Sequence, residues 1–155
     1  MKNNTVYLAL GSNISPKKNI ALALKHLAKI GKVISVSKFI KTKPEGYLNQ
    51  ADFLNGAVKF ETSLTPKVLL KELKNIEKIL KRNTPFRNGP RTIDIDIIFY
   101  GNLVLKIANL IIPHPRADKR LFVLKPLAEI APCKVHPTLK KQIKTLLKKC
   151  ICNTL

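Results

Sequence analysis

The stretch GPRTIDIDIIFYG, residues 89–101, decides the fold. From Ile93 onward it has the β-branched and aromatic content of an interior strand, yet Asp94 and Asp96 stand inside it. Alternate strand residues share a face, so Ile93, Ile95, Ile97 and Phe99 line one side and the two aspartates the other. An apolar side implies helices packed against it. The stretch therefore predicts one strand of a sheet with a covered face and an open face, the open one carrying acid.

Working outward, the neighbouring segments supply the rest of that sheet. Residues 5–10 (TVYLAL) read as a short apolar strand, and Gly11-Ser12-Asn13 turns the chain. Ser15 and Pro16 fit a helix start, Gly31 fits its stop, and Ile20, Leu24, Leu27 and Ala28 recur at helical spacing. Residues 33–41 alternate like a strand, 43–52 form a loop, and 53–62 form another strand. Thr65 and Pro66 start a second helix with the stripe Leu69, Leu73, Ile76 and Leu80. Residues 81–90 are loop-like and lead back into the quoted stretch. The order is β-α-β-β-α-β, an α/β (α+β) ferredoxin-like core with an antiparallel sheet. C-terminal helices follow, one near residues 118–127 and a last one from Thr138 that buries Leu139, Ile143, Leu146 and Leu147. On the middle strand, Phe53, Asn55 and Ala57 share a side, so a helix-free face bearing Asn55, Asp94 and Asp96 is expected.

The chain has 155 residues, which suits a single domain over 1–155, and its 45% hydrophobic content implies a real core. No apolar run is long enough to span a bilayer and no leader pattern opens the chain, so a cytoplasmic protein without a membrane partner is expected. Three cysteines, Cys133, Cys150 and Cys152, show no zinc-like spacing and read as reduced thiols. The formal charge is +20, from 29 Lys+Arg against 9 Asp+Glu. Such an excess points to an anionic partner: nucleic acid, a membrane surface or a phosphorylated small molecule. Lysines are scattered over the whole chain, but Arg82, Arg87, Arg91, Arg116 and Arg120 all fall in one window, which also contains both aspartates. Arginine is suited to bidentate phosphate contacts.

Asp94 and Asp96 lie about 7 Å apart along the strand at Cα level. At that distance two carboxylates repel by roughly 2 kcal/mol at an effective dielectric near 20. Arginines or a metal can offset this, and hard oxygen ligands favour Mg²⁺ shared with substrate phosphates. Taken alone, a D-x-D pair is as compatible with a solvated edge strand. It gains weight from Gly89-Pro90-Arg91 just before it and from His114, Arg116 and Arg120 just after. Gly11-Ser12-Asn13 before a helix could cradle a phosphate, although the Walker A pattern is absent.

These residues, taken together, resemble the 6-hydroxymethyl-7,8-dihydropterin pyrophosphokinase family. The resemblance covers nearly the whole chain: ALGSN at 9–13, TKPEG at 42–46, DFLNGAV at 52–58, IE at 76–77, GPRTIDIDII at 89–98, PHPR at 113–116 and RLFVLKPLAEIAP at 120–132. It implies a ferredoxin-like enzyme that transfers pyrophosphate from ATP to the hydroxymethyl dihydropterin, releasing AMP, in folate biosynthesis. It further implies that Asp94 and Asp96 bind two Mg²⁺. Thr42, Pro44, Phe53, Asn55 and Phe122 match the pterin pocket, with the two aromatic rings sandwiching the substrate. Glu77, Arg82, Arg91, His114 and Arg120 match positions around ATP. Arg82, Arg91 and Asp96 are the expected catalytic residues, with Asp96 the candidate base. Closure of the 43–52 and 81–90 loops is expected to exclude water. Three positions depart from the family's pattern: Lys81 where glycine is common, Asn88 where some members carry an aromatic, and Lys74 where some carry a polar residue facing the nucleotide. Either Phe86 replaces that aromatic or the lid is polar.

A second reading is an RNA-binding ferredoxin-like module, which the charge and fold would suit. The chain lacks an RNP1-like aromatic pattern, and an acidic pair on the open face would repel phosphates without metals. A third is a structural protein with a solvated acidic strand, against which the arginine window argues. A monomer acting on small molecules, with no nucleic acid partner, is the expectation that remains.

Overall fold

A computed structural model describes residues 2–83 and 86–154; Met1, Thr84, Pro85 and Leu155 lie outside them. Strand β1 (Asn4–Ser12) leads into helix α1 (Pro16–Leu27), then β2 (Lys32–Val36), β3 (Ile40–Thr42) and β4 (Phe53–Thr62). Helix α2 (Pro66–Ile79) and β5 (Asp94–Tyr100) complete the expected core. The main sheet runs β2-β4-β1-β5 with every pair antiparallel, and β3 extends along β4. A hairpin of β6 (Leu105–Ile107) and β7 (Leu110–Ile112) follows. A 3₁₀ turn at Ala117–Lys119, α3 (Leu121–Ile130) and α4 (Ile143–Thr154) end the chain.

Helices α1 and α2 cover one sheet face. Val6, Leu8 and Leu10 of β1, Val58 and Phe60 of β4, and Ile95 and Ile97 of β5 pack there against Ala23, Leu27, Leu69 and Leu73. Truncating a fully buried member such as Leu8 to alanine costs about 2–5 kcal/mol in such cores.

The opposite face is not free of helices, as the simple alternation suggested. A bulge shifts the β1–β5 register between Tyr7 and Leu8, so Tyr7 pairs with Phe99 while Leu8 pairs with Ile97. Ile98 is the extra residue. From there the period of two is broken, and Ile98 and Phe99 both join a second core with Tyr7, Leu124, Leu127, Ile143 and Leu146. Phe99 is therefore not on the side of Ile93, Ile95 and Ile97. Helices α3 and α4 close one end of this face, and the end bearing Asp94 and Asp96 stays open.

Local details also depart from the sequence reading. The expected single strand at 33–41 splits in two. Between its halves the Ser37 N–H donates to Ala57 O, and Ala57 N–H donates back to Ser37 Oγ, so a side chain continues the ladder. Ser15 takes the N-cap position in a left-handed conformation and makes no side-chain cap. Asn19 instead donates to Ile14 O at 2.6 Å. Thr65 does cap α2, accepting from Val68 N–H at 3.4 Å. Gly31 lies beyond the helix end, and a Cβ there would collide with the Phe60 ring and the Glu61 carbonyl. Close approach, not a C-cap, requires the glycine. The last helix begins at Ile143, five residues after Thr138; Leu139 is exposed and Cys150 takes a buried position instead. Val135 and Gln142 pair across the intervening segment, which holds it out of the helix. The three cysteines are free, and among the described residues no helix is long and apolar enough to cross a membrane.

Candidate active site

The open end of the sheet is floored by two cross-strand rows. Asn55, Gly11 and Asp94 form one, on β4, β1 and β5; Ala57, Ala9 and Asp96 form the next. The central strand thus contributes only Gly11 and Ala9 between the polar residues of its neighbours. With strands about 4.8 Å apart, this leaves roughly 10 Å of floor between Asn55 and Asp94. A cavity of about 280 Å³ stands on it. Thr42, Phe53, Asn55, Arg91, Asp94, Asp96, His114, Arg120 and Phe122 all line that cavity, so residues scattered over 81 positions of sequence meet in one place.

Asn55 is held in orientation: its Nδ2 donates to Thr42 Oγ1 at 2.6 Å, which leaves Oδ1 directed along the floor toward Gly11. A Cβ on Gly11 would lie 2.7 Å from that oxygen. Gly11→Ala is accordingly expected to displace the Asn55 amide. A ligand that hydrogen-bonds to that amide should then bind about tenfold more weakly, while one held at the aspartates changes little, by calorimetry with each. An equal loss for both ligands would show that the floor row does not discriminate them.

On the other side of the floor the charges are tightly linked. Arg82 Nη1 donates to Asp94 Oδ1 at 3.0 Å and to Glu77 Oε1 at 2.7 Å, while Arg91 Nη1 donates to Asp94 Oδ2 at 3.0 Å. Glu77 is buried and accepts from Ile95 N–H at 2.9 Å, which ties α2 to the start of β5. Glu77 and Arg82 thus stand behind the cavity and reach it through Asp94, and Pro44 is buried at the base of the 43–52 loop.

Asp96 differs from Asp94. It makes no ion pair with any described residue. Poor solvation, then the charge of Asp94, push its carboxyl up to about 7. A carboxylate pair in which one member is balanced by arginines and the other is desolvated and unpaired fits a divalent cation, which would relieve both the desolvation and the repulsion. No third acidic or histidine side chain joins them as a cluster among the described residues, so remaining oxygens would come from water and a bound polyphosphate.

His114 lies at the cavity wall with its Nδ1 accepting from Arg116 N–H at 3.2 Å. Burial, and secondarily the nearby Arg120 charge, lower its pKa, so it is held as a neutral imidazole with its proton on Nε2. Arg120 pairs with Glu45 at 3.2 Å and lies 5.5 Å over the Phe122 ring, fixing one aromatic wall.

Sequence reasoning missed the residues that join the loops. Asn13 donates through Nδ2 to Gln50 Oε1 and to Ala51 O, both at 2.9 Å, and its Oδ1 accepts from Arg91 N–H at 2.8 Å. Gln50 Nε2 in turn donates to Asn88 O at 2.6 Å. The Gly11-Ser12-Asn13 turn is therefore a junction between the two loops. Its only sequence signal was an asparagine in a tight turn. Phe86 packs edge-on against Tyr47, with ring centroids 4.8 Å apart, and the residues lining the cavity beside it are Arg87, Asn88 and Gly89. The described part of the 81–90 loop offers the cavity a polar lid.

Residues 7–132 match the family described as 7,8-dihydro-6-hydroxymethylpterin-pyrophosphokinase (HPPK). The chain is 47% identical over 131 residues to the 2-amino-4-hydroxy-6-hydroxymethyldihydropteridine pyrophosphokinase of Bacillus subtilis, covering 83% of this chain and 78% of that protein. Its counterpart in Aquifex aeolicus is 40% identical, with 90% of this chain and 88% of that protein covered. The folic acid synthesis protein FOL1 of Dictyostelium discoideum is 49% identical over 138 residues, 88% of this chain; the chain spans 21% of that longer protein. In structure, the chain superposes on Plasmodium falciparum HPPK-DHPS with a TM-score of 0.81 and 19% identity. That match covers 99% of this chain and 43% of the other, and establishes the shared fold. The chain belongs to the 7,8-dihydro-6-hydroxymethylpterin-pyrophosphokinase family.

Proposed function

We propose that this chain transfers pyrophosphate from ATP to 6-hydroxymethyl-7,8-dihydropterin, giving AMP and the pterin pyrophosphate in folate biosynthesis. The observation that carries this reading is the cavity floor: an amide at Asn55 and a carboxylate pair at Asp94 and Asp96 face one another across small residues of β1. That separation suits a flat heterocycle at one end and a polyphosphate at the other.

The pterin lies between Phe53 and Phe122, with the Asn55 amide reading its polar edge and Thr42 fixing that amide. Its hydroxymethyl oxygen then points along the floor toward the aspartates and attacks the β-phosphorus in line, with AMP leaving. Asp94 and Asp96 would hold two Mg²⁺, which would supply charge neutralisation for the polyphosphate and polarise the reacting oxygens. Asp96, lining the cavity together with the cation it would hold, is the candidate to take the hydroxyl proton. Arg82 on the 81–90 loop and Arg91 just after it neutralise the charge that develops on the transferred group, while His114 and Arg120 hold the nucleotide. The Asn13–Gln50 junction, which links both loops, couples their closure and the exclusion of water.

We read the chain as one pyrophosphokinase domain over residues 1–155, acting as a monomer in the cytoplasm; both cores sharing one sheet supports the single unit. An RNA-binding module is not supported by the family.

The test is an assay with ATP, Mg²⁺ and the hydroxymethyl dihydropterin that identifies the nucleotide product. AMP is expected, in step with pterin pyrophosphate. ADP as the product would refute pyrophosphate transfer.

A further inference from the structure

Helix α2 carries a row of cations that the chemistry above does not use. Lys67, Lys71, Lys74 and Lys78 follow one another at intervals of four, three and four. At 3.6 residues per turn they fall within about 60° of arc, a strip about 16 Å long. All four are exposed. No acid interrupts the strip: Glu77 is buried beside it, and Glu72 lies about 140° around the helix from Lys67. Lys74 pairs with Glu77 at 3.3 Å, and the other three make no ion pair with a described residue. Like charges three and four apart destabilise a helix, and among the described residues only Lys74 of the row has an ion pair to offset this.

The row borders the site. A second cavity of about 300 Å³, sharing residues with the first, is lined by Leu70, Lys74, Asp96 and His114 among others. Asp96 and His114 line both cavities, so Lys74 stands where the strip meets the catalytic carboxylate. Of the cations acting on Asp96, Lys74 comes first, ahead of Arg82.

We propose that the lysine row of α2 is an electrostatic rail that captures the polyphosphate of incoming ATP and guides it to the cavity at Asp96. This rests on the reading of ATP as donor. The range follows from screening. Lys71 and Lys78 lie about 5–6 Å along the axis from Lys74, and Lys67 about 10 Å. At about 0.1 M salt the Debye length is ~10 Å, so the near members act and Lys67 is at the margin. At about 10 mM it is ~30 Å and the whole row acts; at about 1 M it is ~3 Å and steering vanishes. A field of this kind changes the association rate, not the chemical step.

The test is stopped-flow association of a fluorescent ATP analogue with two triple variants. One is Lys67→Gln, Lys71→Gln, Lys78→Gln. The other, Lys144→Gln, Lys148→Gln, Lys149→Gln, removes the same charge from exposed positions of α4, which packs in the core on the opposite face. Circular dichroism melts check that both remain folded. The α2 triple is expected to associate about five- to tenfold more slowly at ~10 mM salt, to converge with the parent at ~1 M, and to keep its turnover at saturating ATP. The α4 triple is expected to stay within about twofold of the parent. Equal slowing in both triples would assign the effect to net charge and overturn the rail, as would a deficit that salt does not remove. A parent chain that binds nucleotide at a salt-dependent rate but forms no AMP would leave the rail standing and overturn the reaction. A parent that binds no nucleotide would overturn both.

Discussion

Asp96→Asn is expected to remove nearly all turnover, by about 10³-fold or more, while the protein folds and becomes more stable at neutral pH. The two effects have one cause. Asp96 is the carboxylate of the pair that makes no ion pair with a described residue, and it sits in a poorly solvated position beside Asp94. That arrangement suits a cation and is unfavourable without one. The pH dependence follows from its pKa, raised from 3.8 to about 7 in the folded chain. Between these values the folded state keeps a proton that the unfolded state releases. Stability therefore falls as pH rises from about 4 to about 7, and levels above that. The asparagine variant lacks this slope. In metal-free buffer its advantage should be absent near pH 4 and reach roughly 2 kcal/mol above pH 7, once residual solvent contact is discounted. Urea melts across that range measure it. Near parental rates for the variant at saturating Mg²⁺ would sink the placement of the metal, and a pH-independent stability gap would show that Asp96 is better solvated than its surroundings imply.

The second large effect is expected at Arg82. Its guanidinium bridges Glu77 and Asp94 from the start of the loop, with only 18% of its side chain exposed. Arg82→Ala should lower turnover by about 10²–10³-fold with substrate affinities within a few-fold of the parent. The reason is that an arginine already committed to two carboxylates contributes little to ground-state binding. It gains most when charge builds on the transferred group. The substitution also leaves Glu77 buried with Lys74 as its remaining ion-pair partner among the described residues, at a cost of about 1–3 kcal/mol. Arg82→Lys separates the two roles, because a lysine keeps the charge near Glu77 but loses the planar fork. Single-turnover kinetics with bound substrates decides between them. Collapse of binding with the transfer step intact would make Arg82 an anchor.

Arg82 also illustrates what one-dimensional reading conveys. Its grouping with the other four arginines and the two aspartates was visible as a window of sequence. Its bridging of Glu77 and Asp94 was not, because that depends on the angle at which α2 lies across β5. The bulge at Ile98 is a similar case. Nothing in IDIIFY marks where the period of two breaks, since all of Ile97, Ile98 and Phe99 can be buried on either face. Only the packing of α3 and α4 against the second face selects the bulged register. The last helix fails in the same way: Leu139 continues its apolar period, but pairing of Val135 with Gln142 diverts the backbone.

The sequence by itself determined the β-α-β-β-α-β order of the core, the face covered by α1 and α2 and the side on which Asp94 and Asp96 stand, because these follow from local periodicity and turn chemistry. It also determined the donor types, carboxylates followed and preceded by arginines, because spacing along one strand carries them. Tertiary structure alone decided that Asn55 faces Asp94 across Gly11, that Asn13 joins two loops 37 residues and more away, and that Asp94 holds two arginines while Asp96 makes no ion pair among the described residues. Those are contacts between segments distant in sequence, set by strand order and loop path, and no local propensity encodes them.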